Sequence, residues 1–271
     1  MMFLDSINLP RDFYSNFLML LRWVHLVAGI TWIGLLYFFN LVGFPVMQQL
    51  DPATRGKVMP ALMMRALWWF RWSALVTVIV GLAYWGAEVS ALAQAAGATS
   101  GIAMGSFFGI WTATWGIFYA VTRAVSTSHV GTGALARPAL SDRAVRGSRM
   151  GSGRAKLDEW LLLILGLVVV AAASCLFLRL NHHGWETNAM LAIGIGGGIG
   201  WVLLLNVWGV VWRIQKRLIA WTKANAENGT PMPEKAQSMA RVAFLTSRIS
   251  AWLTLPLLFF MGAASHYSMF R

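Results

Sequence analysis

The sequence predicts an all-α integral membrane protein, a polytopic transmembrane bundle of about six helices. Hydrophobic residues make up 58% of the 271 residues and charged residues only 12%, whereas a soluble domain of this size needs a more polar surface. Six apolar runs are long enough to cross about 30 Å of hydrocarbon as helices. None shows the alternation of apolar and polar residues that is typical of a membrane β-barrel. Residues 1–271 are therefore expected to form a single integral membrane domain.

The predicted spans follow one another without an obvious internal repeat. Many of the 15 Trp residues fall near the ends of the apolar runs, where an indole ring anchors a helix at the headgroups. The N-terminal residues lack the basic region and cleavage site of a secretory signal, so the first span is expected to be retained as a membrane helix. The spans lie near residues 15–44, 66–88, 102–122, 160–179, 188–212 and 249–268.

Two spans carry distinctive residues. The glycines from Gly194 to Gly200 in the fifth span lack the spacing of a nucleotide-binding motif, and they predict a small-residue ridge for close helix packing. Asn206, on the same helix, is expected to hydrogen-bond to a neighbour. Pro256 predicts a kink in the sixth span, with Thr254 helping to satisfy the carbonyl that the proline frees.

The connections between the spans alternate in charge. The first, third and fifth connections are rich in Lys and Arg, whereas the second has neither and the fourth has only Glu186 as a formal charge. The positive-inside rule therefore predicts that the odd connections are cytoplasmic and that both termini lie on the outer side of a bacterial inner membrane. The third connection, 125–157, is rich in Gly, Ser and Arg, and it is expected to set orientation and contact anionic lipid, or to bind a partner.

Charge and cysteine content exclude several function classes. The net charge of +12 comes from short connections rather than from one basic face with interleaved aromatic residues, so no nucleic-acid interface is predicted. Cys175 is the single cysteine. An intrachain disulfide, a CxxC zinc site and a CxxCH attachment site for haem c are therefore excluded.

Histidines are the candidate ligands of this chain. His25 lies in the predicted outer half of the first span, His266 near the outer end of the sixth, and His182 and His183 in the fourth connection. Imidazoles on facing helices ligate haem iron or copper, so His25 and His266 are predicted to bind haem b, or a metal ion, near the outer face. His182 and His183 are further candidates for a metal.

A plainer interpretation exists for each of these residues. His25 is then a hydrogen-bonding residue between helices, and the other three histidines meet water and headgroups. Arg22, one turn from His25, is either a partner for a haem propionate or an anchor at the membrane interface.

Four segments together resemble a known family. They are RWVHLVAGITWIG at 22–34, WFRW at 69–72, NVW at 206–208 and LTLPLLFFMGAASHY at 253–267. In this order they are similar to the membrane domain of the bacterial membrane-bound urate hydroxylases, the urate oxidase N-terminal domain family. The resemblance implies an inner-membrane redox protein that passes electrons from urate to a periplasmic cytochrome c domain, and His25 and His266 match histidines of the family.

The chain also departs from that family. It ends at Arg271 without a cytochrome c domain, so the acceptor is expected to be a separate polypeptide. Ser73 stands at a position that is often acidic, and glycines around Gly194 stand where a histidine is expected. Residues 249–252 replace a polar stretch of the family, and the polar groups that would bind a purine are therefore reduced.

These observations predict an integral inner-membrane subunit of a redox or electron-transfer assembly, with haem b near the outer face. One alternative is the membrane component of a split urate hydroxylase, an oxidoreductase whose cytochrome c is separate. The other is a cofactor-free structural subunit of a respiratory or photosynthetic complex. The expected partners are the lipid bilayer, other membrane subunits and a periplasmic cytochrome c.

Overall fold

The computed structural model describes residues 10–128 and 142–270, and the regular structure in these ranges is helical. This confirms the predicted all-α class. Three π-helical turns, Phe38–Gly43, Met59–Met63 and Asn206–Val211, each join two consecutive α-helices. The α-helices are Phe13–Tyr37, Phe44–Gln49, Pro52–Val58, Met64–Ala95, Gly101–Ser128, Asp142–Leu180, Asn188–Leu205, Trp212–Asn228 and Ala236–His266.

Six stretches in the described residues are long and apolar enough to cross a membrane. The chain is therefore a multi-pass membrane protein in a lipid bilayer, with one span for each span that the sequence predicts. The helices extend beyond several predicted bounds, because a helix continues after its side chains become polar. The first to sixth spans are Phe13–Gln49, Ala53–Ala95, Gly101–Ser126, Glu159–Leu180, Asn188–Asn228 and Ala236–His266.

The third connection is only partly described. Residues 129–141 of the predicted connection 125–157 lie outside the described residues. Residues 142–157 are helical and form the beginning of the helix Asp142–Leu180, ahead of the fourth span.

The fifth span is the centre of the bundle. In its most apolar window 78% of the residues are buried inside the protein, compared with 22% in the first and second spans. Its glycines make this possible. The indole of Trp111 lies against the backbone at Gly198, and the ring of Phe177 lies against Gly194. The predicted packing ridge is therefore confirmed.

Two of the π-helical turns carry buried asparagines that reach the sixth span. Asn40 donates from Nδ2 to Ser247 Oγ at 3.0 Å, and Asn206 donates from Nδ2 to Ser250 Oγ at 3.1 Å. The second bond confirms the expectation for Asn206. A π-helical turn inserts a residue and so re-aims a side chain within a continuous helix.

Near Pro256 the hydrogen bonding differs from the expectation. Thr254 donates to the carbonyl of Ala251 at 2.6 Å, one residue before the carbonyl that the proline leaves free. The same hydroxyl accepts a 2.7 Å hydrogen bond from Tyr37 of the first span. Thr254 thus ties the first span to the sixth.

Candidate functional site

His25 lies in the interface between the first and second spans. Its Nδ1 is 2.7 Å from the backbone carbonyl oxygen of Thr77. Because a carbonyl only accepts, Nδ1 carries the hydrogen and donates it. In the neutral ring Nε2 is then the unprotonated nitrogen, and it forms no hydrogen bond with a described residue. The lone pair of Nε2 is thus not used in a hydrogen bond with a described residue.

Gly81 of the second span leaves the space that the His25 ring occupies. A methyl group added at Gly81 would lie 2.7 Å from both Cε1 and Nδ1 of His25, a distance that real contacts essentially never show. The ring therefore rests directly on the backbone of the second span. Any side chain at this position would move it.

Arg22 also contacts the second span. Its guanidinium donates to the hydroxyl of Tyr84, and its Cζ lies 4.6 Å from the centroid of the Tyr84 ring. Arg22 itself is exposed. Arg22 thus lies three residues before His25 on the first span, and both roles expected for it, an interface anchor and a partner of a haem propionate, stay predictions.

His266 is the last residue of the sixth span and is exposed. The Tyr37–Thr254 hydrogen bond sets its depth relative to His25, because His25 lies 12 residues before Tyr37 and His266 lies 12 residues after Thr254. At about 1.5 Å per residue, each ring is about 18 Å from this bond along its helix. The two histidines are thus offset from this bond by the same number of residues along their helices, and no described hydrogen bond joins them.

The two histidines of the fourth connection have different environments. His182 is exposed. His183 is held by Glu186, whose Oε1 is 2.7 Å from its Nδ1 and whose Oε2 accepts its backbone N–H at 2.9 Å. Burial acts to raise the pKa of Glu186, but the hydrogen bonds from His183 outweigh it and hold the pKa below its usual value.

The described residues contain no group of three or more His, Cys, Asp or Glu side chains that could hold a metal ion. Haem ligation needs only one or two side chains on the iron. The candidate site is therefore His25 with its supports Thr77 and Gly81, accompanied by Arg22 three residues earlier, with His266 as the candidate second ligand from the sixth span.

The sequence alone does not reveal which residues hold the His25 ring. Every residue offers a backbone carbonyl, so nothing marks Thr77 as the acceptor. Gly81 is one of 26 glycines, and only its contact with the His25 ring in the folded protein distinguishes it from the others. Ser73, the departure noted from the family pattern, donates to the Trp69 carbonyl at 2.7 Å.

In comparisons with known proteins, no family model, curated protein or solved structure matches this chain.

Proposed function

We propose that this protein is an integral subunit of an electron-transfer assembly in a bacterial inner membrane, and that it binds haem b through Nε2 of His25. The observation that carries the proposal is the hydrogen bond from Nδ1 of His25 to the Thr77 carbonyl. Histidines that ligate metals almost always donate their other ring N–H to a carbonyl, a carboxylate or water, which fixes the tautomer and the ring orientation. His25 has this arrangement and lies within the first membrane span.

The neighbouring residues fit the same group. His266, which is offset from the Tyr37–Thr254 hydrogen bond by as many residues as His25, is the candidate for a second side chain that would hold the haem. The guanidinium of Arg22 is the candidate partner for a propionate, since a planar donor pair suits a carboxylate. A haem bound there would supply one-electron transfer between a donor and an acceptor on partner proteins, including a periplasmic cytochrome c. The chain itself orients the imidazole and supplies the low-dielectric surroundings that tune such a site.

Visible spectra of the purified protein test this proposal. The dithionite-reduced minus oxidised spectrum is expected to show the bands of haem b, and His25→Ala is expected to lose them. His266→Ala is expected to lose them or to convert the spectrum to that of a five-coordinate haem. Protein purified from its own membranes without any haem signal would contradict the proposal.

A pair of glycine variants separates the site from general damage to the fold. Gly81→Ala places a methyl group 2.7 Å from the His25 ring, whereas an added methyl group at Gly34 meets nothing within 4 Å. Gly81→Ala is expected to lower haem occupancy severalfold or to shift the haem bands, and Gly34→Ala is expected to leave both unchanged. Equal changes in haem occupancy and haem bands in the two variants would show that His25 does not bind the haem.

A second candidate, the cofactor-free structural subunit, is favoured by the exposed apolar surface of the first two spans. Trp23 is 58% exposed, Ile30 67% and Trp69 59%. A surface of this kind faces either acyl chains or another membrane protein. Co-purification with a larger complex, together with no chromophore, would support this function over the first. Urate-dependent reduction of added cytochrome c would instead support the split urate hydroxylase.

A further inference from the structure

A cavity lined by cationic and apolar side chains opens at the basic end of the bundle, which the charge distribution predicts to be cytoplasmic. It has a volume of about 430 Å³ and lies between the third span, the helix that extends the fifth, and the beginning of the sixth. This volume is within the range of about 300 to 1,000 Å³ that is typical of small-molecule sites. We call it the basic cavity and define it by Tyr119, Arg123, Arg213, Arg217, Lys235 and Ser238.

Four cationic side chains from three separate segments converge on the basic cavity. Arg123 comes from the third span, Arg213 and Arg217 from the helix Trp212–Asn228, and Lys235 from the residue before the helix Ala236–His266. Among the described residues that line the cavity there is no Asp or Glu. Like charges around one space repel each other, so their convergence favours an anionic occupant.

Arg213 and Arg217 have donors available for such an occupant. Arg123 donates from Nη1 to the hydroxyl of Tyr119 at 3.2 Å, and Lys235 lies 5.8 Å from the centroid of the Trp221 ring. Neither Arg213 nor Arg217 forms an ion pair with a carboxylate among the described residues. Their guanidinium groups present planar, bidentate donors, a geometry that matches the oxygens of a phosphate group.

The sixth span adds to the positive potential at this site. Its helix, Ala236–His266, begins at the cavity and has no side-chain cap at its N-terminus. The first N–H groups of a long helix and its dipole both favour an anion. The N-terminus of this helix adds to the positive potential of the arginines. The arginines would define the site without it.

The remaining walls are apolar. Val210, Ile214, Met239 and Val242 line the same cavity. An occupant that carries a phosphate and an acyl chain satisfies both kinds of wall, since basic pockets between membrane helices on this side of a bilayer suit anionic headgroups.

We propose that the basic cavity is a binding site for a phosphate group, with the headgroup of an anionic phospholipid as its source. The site is independent of any haem at the other end of the bundle. Arg213 and Arg217 are the primary contacts, and Arg123 and Lys235 supply further charge.

Lipid titration of the full-length protein followed by native mass spectrometry tests the proposal. The probes are phosphatidylglycerol, phosphatidylcholine as the zwitterionic control, and inorganic phosphate. Phosphatidylglycerol is expected to bind at least tenfold more tightly than phosphatidylcholine. The double variant Arg213→Gln, Arg217→Gln is expected to lose at least tenfold of that affinity.

The matched control is Lys216→Gln with Lys223→Gln, which removes two charges from exposed positions of the same helix that do not line the cavity. This control is expected to keep full affinity. Equal losses in the two double variants, or equal affinity for the two lipids together with no arginine-dependent binding of inorganic phosphate, would overturn the proposal.

Two further measurements keep the test decisive. Arg213→Lys with Arg217→Lys retains both charges and replaces the double Gln variant if that one fails to fold. The double Lys variant is expected to bind phosphatidylglycerol severalfold more weakly than the native protein does. Unchanged affinity in both the double Lys and the double Gln variant would again overturn the proposal. Saturable binding of inorganic phosphate that requires the two arginines, without selective lipid binding, would uphold the phosphate site and assign its source to a soluble anion.

Discussion

At the scale of single residues, Arg71 shows how this bundle holds a charge beside the membrane. Its Cζ lies 4.0 Å from the ring centroid of Trp212 and 5.6 Å from that of Trp208. The indole N–H of Trp208 donates to the Arg71 carbonyl at 3.1 Å. The guanidinium is therefore held by aromatic faces, to which a planar cation is well suited.

Arg71→Lys is expected to lower the free energy of unfolding by about 0.5 to 2 kcal/mol, because an ammonium does not stack on the indole rings. Chemical denaturation in detergent, followed by tryptophan fluorescence, measures the change. Arg65→Lys is the control, since Arg65 is exposed on the same span, and it is expected to have little effect. A similar loss in both variants would argue against a specific role for the rings.

At the scale of helices, the glycine ridge determines how closely the fifth span is packed. A methyl group added at Gly198 would lie 1.9 Å from Cε2 of Trp111, whereas one added at Gly197 would lie 3.7 Å from the nearest atom, in the Phe107 ring. Trp111 is completely buried, so it has no free space into which it can move. The two neighbouring glycines therefore differ sharply in what they tolerate.

Gly198→Ala is expected to destabilise the protein by about 1 to 3 kcal/mol or more through overpacking. Gly197→Ala is expected to be neutral or stabilising, because alanine favours a helix over glycine by about 1 kcal/mol in both variants. Thermal unfolding in detergent measures both changes. Equal behaviour of the two variants would show that Trp111 does not pack against Gly198.

The fourth connection predicts a dependence of stability on pH. The carboxylate side chain of Glu186 is only 2% exposed, and its hydrogen bonds with His183 hold its pKa below the usual value. A lowered carboxyl pKa stabilises the fold fully above the ordinary value of about 4.3, and this stabilisation is lost as the pH falls through the lowered pKa. Glu186→Gln is therefore expected to be less stable than the native protein at neutral pH and to lose less stability on acidification.

Thermal unfolding measured from about pH 7 to about pH 3 compares the two proteins over this range. Glu234→Gln serves as the control, because Glu234 is exposed and lies in a different connection. It is expected to follow the native protein. A constant difference between native protein and Glu186→Gln at every pH would show that the carboxylate does not contribute through its charge.

The features that follow from hydrophobicity are predictable from this sequence, and those that depend on partners distant in the chain are not. Long apolar runs and closely spaced glycines indicate the six spans and the packing ridge. The end of a helix is harder to place, because polar residues such as those after Trp212 continue the helix beyond the hydrocarbon. The support of His25 by Thr77 and Gly81 joins positions more than 50 residues apart, and no local pattern in the sequence records it.

At the scale of the whole molecule, the charges and the candidate sites divide between two ends. His25, His266 and the fourth connection belong to the half that the positive-inside rule predicts to be outer. The basic cavity belongs to the opposite end, where the cytoplasmic leaflet presents anionic lipid. Both proposals therefore depend on the same orientation, since a periplasmic cytochrome c meets only the outer side.

Cysteine labelling tests this orientation. Cys175→Ser removes the single, exposed cysteine. Thr99→Cys then introduces one exposed thiol in the second connection, or Lys223→Cys introduces one in the polar helix Trp212–Asn228 at the basic end of the bundle. A membrane-impermeant maleimide added to intact cells is expected to label Thr99→Cys, and to label Lys223→Cys only after permeabilisation. The reverse pattern would place His25 in the inner half of the bilayer. It would separate the haem proposal from any periplasmic acceptor and would move the basic cavity away from the anionic cytoplasmic leaflet.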